Sequence, residues 1–65
     1  MEIELYQSVR LITDKYAEEG LTKGMIGTIL ERYDDENFEV EWYDAAGNTV
    51  AFFAFHVKDF EVISD

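Results

Sequence analysis

The clearest pattern in this chain is an alternation of apolar and polar side chains. Between Phe38 and Tyr43, large apolar residues alternate with two glutamates and a tyrosine, and an earlier alternation places Val9 and Leu11 on one face. Successive side chains of a strand point to opposite faces of a sheet, so both segments are predicted to be half-buried strands. Trp42, which shares its face with the other large apolar residues, is expected to be buried.

Three further segments have the composition of strands and are separated by turn-forming residues. Residues 24–33 place β-branched side chains between glycines, residues 49–55 form a continuous apolar run, and residues 60–63 close the chain. The polar clusters at 34–37 and 44–48 are typical of hairpin turns, because Asp and Asn side chains bond nearby backbone amides. The sequence therefore predicts five strands, of which the middle three are joined by hairpins.

The order of these elements predicts the fold class. A first strand, a long loop at 14–23 with a short helical turn, two hairpins, a one-turn connector at 56–59 and a closing strand is the order found in SH3-like barrels. We predict an all-β fold, a small five-stranded SH3-like barrel, as one domain over residues 1–65. Gly24 or Gly27 is expected to have a positive φ where the chain enters the second strand.

The apolar run at 49–55 must distribute its side chains over both faces of the sheet. If Phe53 and Phe55 fill the core, the residues that alternate with them point outward. This outward set is predicted to be Val50, Phe52 and Ala54. Phe52 should be exposed in an isolated monomer, and either a homodimer or a protein partner is expected to cover the set.

Composition and charge exclude several classes of function. Fifteen acidic residues stand against five basic ones, a formal charge of −10, so nucleic-acid phosphates and anionic membranes would repel the chain. There is no cysteine and His56 is the only histidine, which removes thiolate metal sites and Cys/His catalysis. We expect no cofactor, no metal and no enzymatic activity. Because no leader or apolar segment of about 20 residues is apparent, the cytoplasm is the expected compartment.

The negative charge is concentrated around the third strand. Seven acidic residues and one basic residue fall between Glu31 and Asp44. Glu39 and Glu41 should project to one face of the strand, roughly 6.6 Å apart, which suits an Arg/Lys-rich protein surface. An acidic surface that only keeps the protein soluble is the alternative. The candidate partner-binding residues are Glu39, Glu41, Tyr43, Asp34, Asp35, Glu36 and Phe52.

The spacing of several short motifs resembles a known family. Residues 20–29 read Gly-Leu-Thr-Lys-Gly-Met-Ile-Gly-Thr-Ile and are followed by the Tyr33-Asp34-Asp35 turn, by Phe-Glu-Val-Glu-Trp at 38–42 and by Asp59-Phe60. From about Leu5 to Ile63 this pattern resembles the small bacterial proteins called domain of unknown function 4926. The glycine pair at 24 and 27 also resembles the turn of KOW-type SH3-like modules. The resemblance implies an SH3-like barrel and offers no established activity. It also implies that the gene resembles members of compact toxin–antitoxin or immunity pairs.

Together these observations favour a binding protein. The leading interpretation is an antitoxin-like or immunity-like module whose acidic face masks a basic protein, such as a nuclease or another nucleic-acid-binding protein. The alternative is an SH3-like accessory or regulatory subunit that docks on a larger enzyme or self-associates through Phe52.

Overall fold

Five strands in a single antiparallel sheet make up the computed structural model, which describes residues 3–63. The strands are β1 (Ser8–Leu11), β2 (Ile26–Arg32), β3 (Asn37–Tyr43), β4 (Thr49–His56) and β5 (Phe60–Val62), and two 3-10 helices span Ala17–Glu19 and Val57–Asp59. The order across the sheet is β4-β3-β2-β1-β5, so β4 and β5 are its edges. The predicted all-β class and the predicted order of elements are confirmed. The first two and last two residues of the predicted domain lie outside the described residues.

The core lies on the face of the sheet that the alternation predicted. Val9, Leu11 and Trp42 have no exposed surface, because every second residue of β1 and β3 points to this side. The indole ring of Trp42 meets the edge of the Phe55 ring at a centroid distance of 5.5 Å. The buried apolar side chains are Val9, Leu11, Leu21, Ile29, Phe38, Val40, Trp42, Phe55 and Phe60. No helix among residues 3–63 is long and apolar enough to cross a membrane.

Gly24, which precedes β2, and Gly27, which lies within it, have different structural roles. Gly24 has a φ of +96°, which confirms the prediction that one of the pair would occupy the left-handed region. The φ of Gly27 is not in that region, and this residue is required for space instead. A Cβ atom at Gly27 would lie 2.6 Å from Cε3 of Trp42 and 2.7 Å from the carbonyl oxygen of Glu41.

The register of β4 confirms most of the predicted inside-outside pattern. Phe53 and Phe55 stand opposite buried residues of β3, while Phe52 is 60% exposed and Ala54 is exposed. The expectation that Val50 also points outward is wrong. The ladder shifts at this point, since Trp42 pairs with Ala51 but Tyr43 pairs with Thr49.

Val50 is therefore the extra residue of a β-bulge, and it packs against the core. A bulge locally changes the alternation of side chains between faces. The outward set of β4 consists of Phe52 and Ala54.

The different roles of the two glycines predict different responses to substitution. Gly27→Ala should lower the free energy of unfolding by about 1–3 kcal/mol, because the added methyl group overlaps Trp42. Gly24→Ala should cost about 1 kcal/mol through backbone strain alone. Gly24→Asn should recover part of that loss since Asn tolerates a positive φ, whereas Gly27→Asn should be at least as harmful as Gly27→Ala. Chemical denaturation followed by Trp42 fluorescence would measure these changes, and a Gly27→Ala protein as stable as the parent would contradict the predicted crowding.

Candidate functional site

The outer face of β3 carries Glu39, Glu41 and Tyr43, all partly exposed. We call these three residues the acidic face. Their positions follow from the alternation of the strand, because the residues between them are buried in the core. The structure thus brings together three of the predicted site residues.

The two carboxylates of the acidic face are held by neighbouring hydroxyl groups. Thr49 Oγ1 donates a hydrogen bond to Glu41 Oε2 at 2.5 Å, and Tyr43 donates to the other oxygen of Glu41 at 3.3 Å. The Tyr33 hydroxyl donates to Glu39. This hydrogen bond to Glu39 raises the pKa of Tyr33, because the bond stabilises the protonated hydroxyl. A carboxylate offers about four acceptor positions, and both groups therefore keep capacity for an external cation.

Tyr33 and Thr49 were missed as members of the site by sequence reasoning. Each is brought to a glutamate by pairing between neighbouring strands: Thr49 stands opposite Tyr43 at the start of β4, and Tyr33 directly follows β2. Hydroxyl-bearing residues at strand ends next to an acidic strand were the available signal. The signal identifies a partner only once the register is known.

Asp34 belongs to the hairpin that precedes β3, and its carboxylate is used within that turn. It accepts hydrogen bonds from the backbone N–H groups of Glu36 and Asn37, both at 2.8 Å, and from the Asn37 side chain at 3.0 Å. These bonds, led by that from the Glu36 backbone, lower the pKa of Asp34. Asp44 holds the next hairpin in the same way, through the backbone N–H groups of residues 46 and 48. The structure thus assigns Asp34 a role in shaping the turn.

The other two acidic residues of the first hairpin project into solvent. The side chain of Asp35 is 89% exposed and pairs with Arg32, and Glu36 lies 3.8 Å from the His56 imidazole at 69% exposure. Surface pairs of this kind contribute little to stability. Asp35 and Glu36 therefore extend the negative surface beyond one end of the acidic face.

Phe52 lies on the same outer surface as the glutamates. It stands directly opposite Glu41 in the β3–β4 ladder, and Ala54 stands opposite Glu39. The acidic and apolar features, which the sequence presented as two separate candidates, are therefore neighbours. Together they form one surface with charge on β3 and an exposed aromatic ring on β4.

A buried carboxylate that sequence reasoning missed lies away from this surface. Asp59 is 4% exposed. It accepts a hydrogen bond of 2.6 Å from the Tyr16 hydroxyl and lies 3.1 Å from Lys15 Nζ. Burial, reinforced by the bond to Asp59, raises the pKa of Tyr16. The Tyr16 ring packs edge-on against Phe55 at 4.8 Å between centroids, so the arrangement anchors the long loop to the core and to the second 3-10 helix.

A shallow groove of about 420 Å³ opens at the other end of the acidic face. The end of the long loop and the second hairpin line it, together with Tyr43. The lining residues are Thr22, Lys23, Gly24, Met25, Ile26, Tyr43, Asp44 and Ala45. Within residues 3–63, no cluster of three or more His, Cys, Asp or Glu side chains has the arrangement of a metal site.

The sequence matches the model of a known protein family. The family model described as Domain of unknown function (DUF4926) matches residues 5–62, which is most of the chain. No curated protein and no solved structure gives a significant match.

The burial of Asp59 predicts that removal of the Tyr16 hydroxyl, which donates a hydrogen bond to it, lowers stability. Tyr16→Phe should lower the free energy of unfolding by about 1–3 kcal/mol, because a buried acceptor loses a hydrogen bond while ring packing is kept. Tyr6→Phe is the matched control, since Tyr6 is 71% exposed. Thermal unfolding of both variants measures the difference, and equal stabilities would show that the bond to Asp59 contributes nothing.

The turn carboxylate predicts a pH dependence. The pKa of Asp34 in the folded protein lies below its ordinary value of 3.8, so the folded state binds this proton less readily than the unfolded chain. The contribution of Asp34 to the free energy of unfolding is complete above about pH 5 and is lost as the pH falls through the pKa of the folded protein. Asp34→Asn should therefore lose less stability on acidification than the parent. Thermal unfolding at pH 7 and pH 3 would measure this, and an Asp34→Asn protein that loses as much stability as the parent would contradict the prediction.

Proposed function

The chain belongs to the family described as Domain of unknown function (DUF4926), and we propose that this member is a binding module for a basic protein. In this proposal the module acts as an antitoxin-like or immunity-like protein and not as an enzyme. The observation that carries the proposal is the pair of oriented carboxylates, Glu39 and Glu41, beside the exposed ring of Phe52.

The orientation of the carboxylates favours binding. Side chains that are already held by hydrogen bonds lose less conformational freedom when a partner arrives. Glu41 is held by Thr49 and Tyr43, and Glu39 by Tyr33. Arg side chains prefer such fixed carboxylates because charge-assisted hydrogen bonds need defined geometry. The acidic face therefore resembles a prepared receptor for cations more than a solvated surface.

The charge of the whole chain acts in the same direction. A formal charge of −10 on 65 residues attracts a basic surface over a distance and raises the association rate. Affinity then depends on a few anchors that become buried in the interface. Phe52 is 60% exposed and Tyr43 is partly exposed, so both can serve as anchors beside the charges.

The partner class that fits best is a protein that itself binds nucleic acid, such as a nuclease. Such proteins present Arg and Lys side chains to a row of phosphates. Carboxylates repeated along one face of a strand, as Glu39 and Glu41 are, can occupy successive cation positions of that surface. The module would then inhibit the partner by covering its nucleic-acid site.

A second candidate function is supported by the shallow groove beside Tyr43. Ile26 is 40% exposed and lines the groove beside Tyr43. An accessory or regulatory subunit that docks on a larger enzyme would bury such a surface. In that case Ile26 would contribute to docking more than the carboxylates, and the two candidates differ in the residues on which binding depends.

The acidic face predicts a charge-dependent association rate. A protein captured by this chain and identified by mass spectrometry would serve as the partner. The double variant Glu39→Lys and Glu41→Lys should associate about tenfold more slowly at low salt, with a smaller difference at high salt. Stopped-flow measurements over a range of ionic strengths would test this.

The matched control is the double variant Glu18→Lys and Glu19→Lys. It changes the net charge by the same amount at exposed positions of the first 3-10 helix. Its association should be slowed much less, because the altered charges lie on the first 3-10 helix and not on β3. Equal slowing by both double variants would show a general charge effect and contradict the assignment of the site, and a dominant effect of Ile26→Ser would favour the accessory subunit.

A further inference from the structure

The edge strand β4 has backbone groups that face away from the sheet. In the described residues, the Val57 N–H donates to the Glu36 carbonyl, and the Tyr33 N–H donates to the Asn37 carbonyl. Along an antiparallel strand, successive residues direct their N–H and C=O groups to opposite neighbours. The even-numbered residues of β3 therefore bond to β4, and the odd-numbered residues bond to β2. Their partners in β4 are Ala51, Phe53 and Phe55. The N–H and C=O groups of Phe52 and Ala54 consequently point to the open side of the sheet.

Beyond the bulge at Val50, this edge lacks the charged side chains and the proline by which many proteins protect exposed strands. Natural edge strands are shortened, or carry charged residues or proline that prevent pairing with another chain. The eight residues of β4 include no Asp, Glu, Lys, Arg or Pro. The opposite edge differs, because β5 has only three residues and its Glu61 forms an ion pair with Arg10 at 2.9 Å. β4 is therefore the edge at which another strand can pair.

The position of the long loop limits the accessible part of β4. An added Cβ at Gly20 would lie 3.6 Å from a methyl group of Val50, so the loop approaches the first part of the strand. Phe52 and Ala54 remain exposed beyond it. The accessible edge thus coincides with the two residues whose backbone groups point outward.

Charge complementarity identifies the kind of chain that would pair there. A strand added to β4 would lie about 10 Å from β3, two strand spacings away. Its outward side chains opposite Phe52 and Ala54 would be in line with Glu41 and Glu39, which stand opposite those residues on the other side. Long cationic side chains can cross the small Ala54 to reach Glu39, and can lie over the ring of Phe52 on the way to Glu41. A second copy of this chain would instead bring two molecules of charge −10 together.

We propose that an extended segment of the basic partner, with Arg or Lys at alternate positions, adds to β4 as a sixth strand. This inference rests on the proposed function and specifies its mode of binding. Main-chain hydrogen bonds to Phe52 and Ala54 would provide affinity, and pairing of the cationic side chains with Glu41 and Glu39 would select the sequence. The antiparallel direction is assigned because it is the more stable pairing.

The experiment uses a synthetic peptide as long as β4 in which Arg and Val alternate. Two further peptides carry N-methyl groups, one on the backbone nitrogens of every Arg and the other on those of every Val. In an antiparallel arrangement with the Arg side chains over the acidic face, the Arg N–H groups face β4. Fluorescence anisotropy should therefore show binding weakened about tenfold or more by methylation at Arg, and little changed by methylation at Val.

Variants of the protein provide the reciprocal test. Ala54→Pro removes the outward N–H without breaking the ladder to β3, since proline is tolerated at edge positions that face solvent. Ala54→Val keeps this N–H and serves as the control of similar size. The peptide should bind Ala54→Pro about tenfold more weakly than Ala54→Val. Circular dichroism and Trp42 fluorescence verify folding, and the methylated peptides remain decisive if Ala54→Pro does not fold.

The possible outcomes separate this inference from the proposed function. If the two methylated peptides bind alike, strand addition is overturned, whereas the proposed function stands as long as Glu39→Gln with Glu41→Gln weakens binding. If that double variant binds the peptide as tightly as the parent, both are overturned. Sedimentation that shows a dimer dissociated by Ala54→Pro would assign the edge to a second copy and overturn the proposed occupant.

Discussion

The close packing of Trp42 against Gly27 is the contact on which the rest of this small sheet depends. A side chain at Gly27 would overlap the indole ring, with a Cβ 2.6 Å from Cε3, so β2 and β3 can pair with this ring in the core only because the glycine is there. The ring then reaches Phe55 on β4. The contact between β2 and β3 thus positions Trp42, the bulkiest core residue, and through it the neighbouring strand β4.

The chemistry of the outer surface follows from this packing. Once Trp42 is directed into the core, the alternation of β3 directs Glu41 and Glu39 outward. Their hydroxyl partners come from other segments, Thr49 from β4 and Tyr33 from the end of β2. The acidic face is therefore a consequence of core packing on one side of the strand and of strand pairing on the other. This coupling explains how a chain of 65 residues can orient carboxylates without a pocket.

The long loop contributes to the same surface from the opposite side of the sheet. Tyr16 packs edge-on against Phe53 and Phe55 and bonds to the buried Asp59, which fixes the loop against the inner side of β4. The loop approaches the strand at Val50, where the bulge turns that side chain to the core. Phe52 and Ala54 remain at the open edge, so the anchoring of the loop helps to determine which part of β4 a partner can reach.

Much of this arrangement was determined by the sequence through local alternation. The period of two at 38–43 was sufficient to predict that Trp42 is buried and that Glu39 and Glu41 share a face, because side-chain direction in a strand depends only on parity. The same reasoning correctly predicted the exposure of Phe52. Turn-forming residues between the apolar segments predicted the order of the five strands. These features required no knowledge of which strands pair.

Contacts between distant parts of the chain were decided only by the tertiary structure. The outward prediction for Val50 failed because the bulge arises from a shift in the pairing of β4 with β3, and parity within one strand does not include such a shift. The hydroxyl partners of the glutamates depend on the same register. Asp59 lies in the connector predicted at 56–59, and only the fold brings Tyr16 to it across 43 positions of sequence. Alternation specifies which side of a strand a residue occupies, whereas register and loop packing specify what that residue meets there.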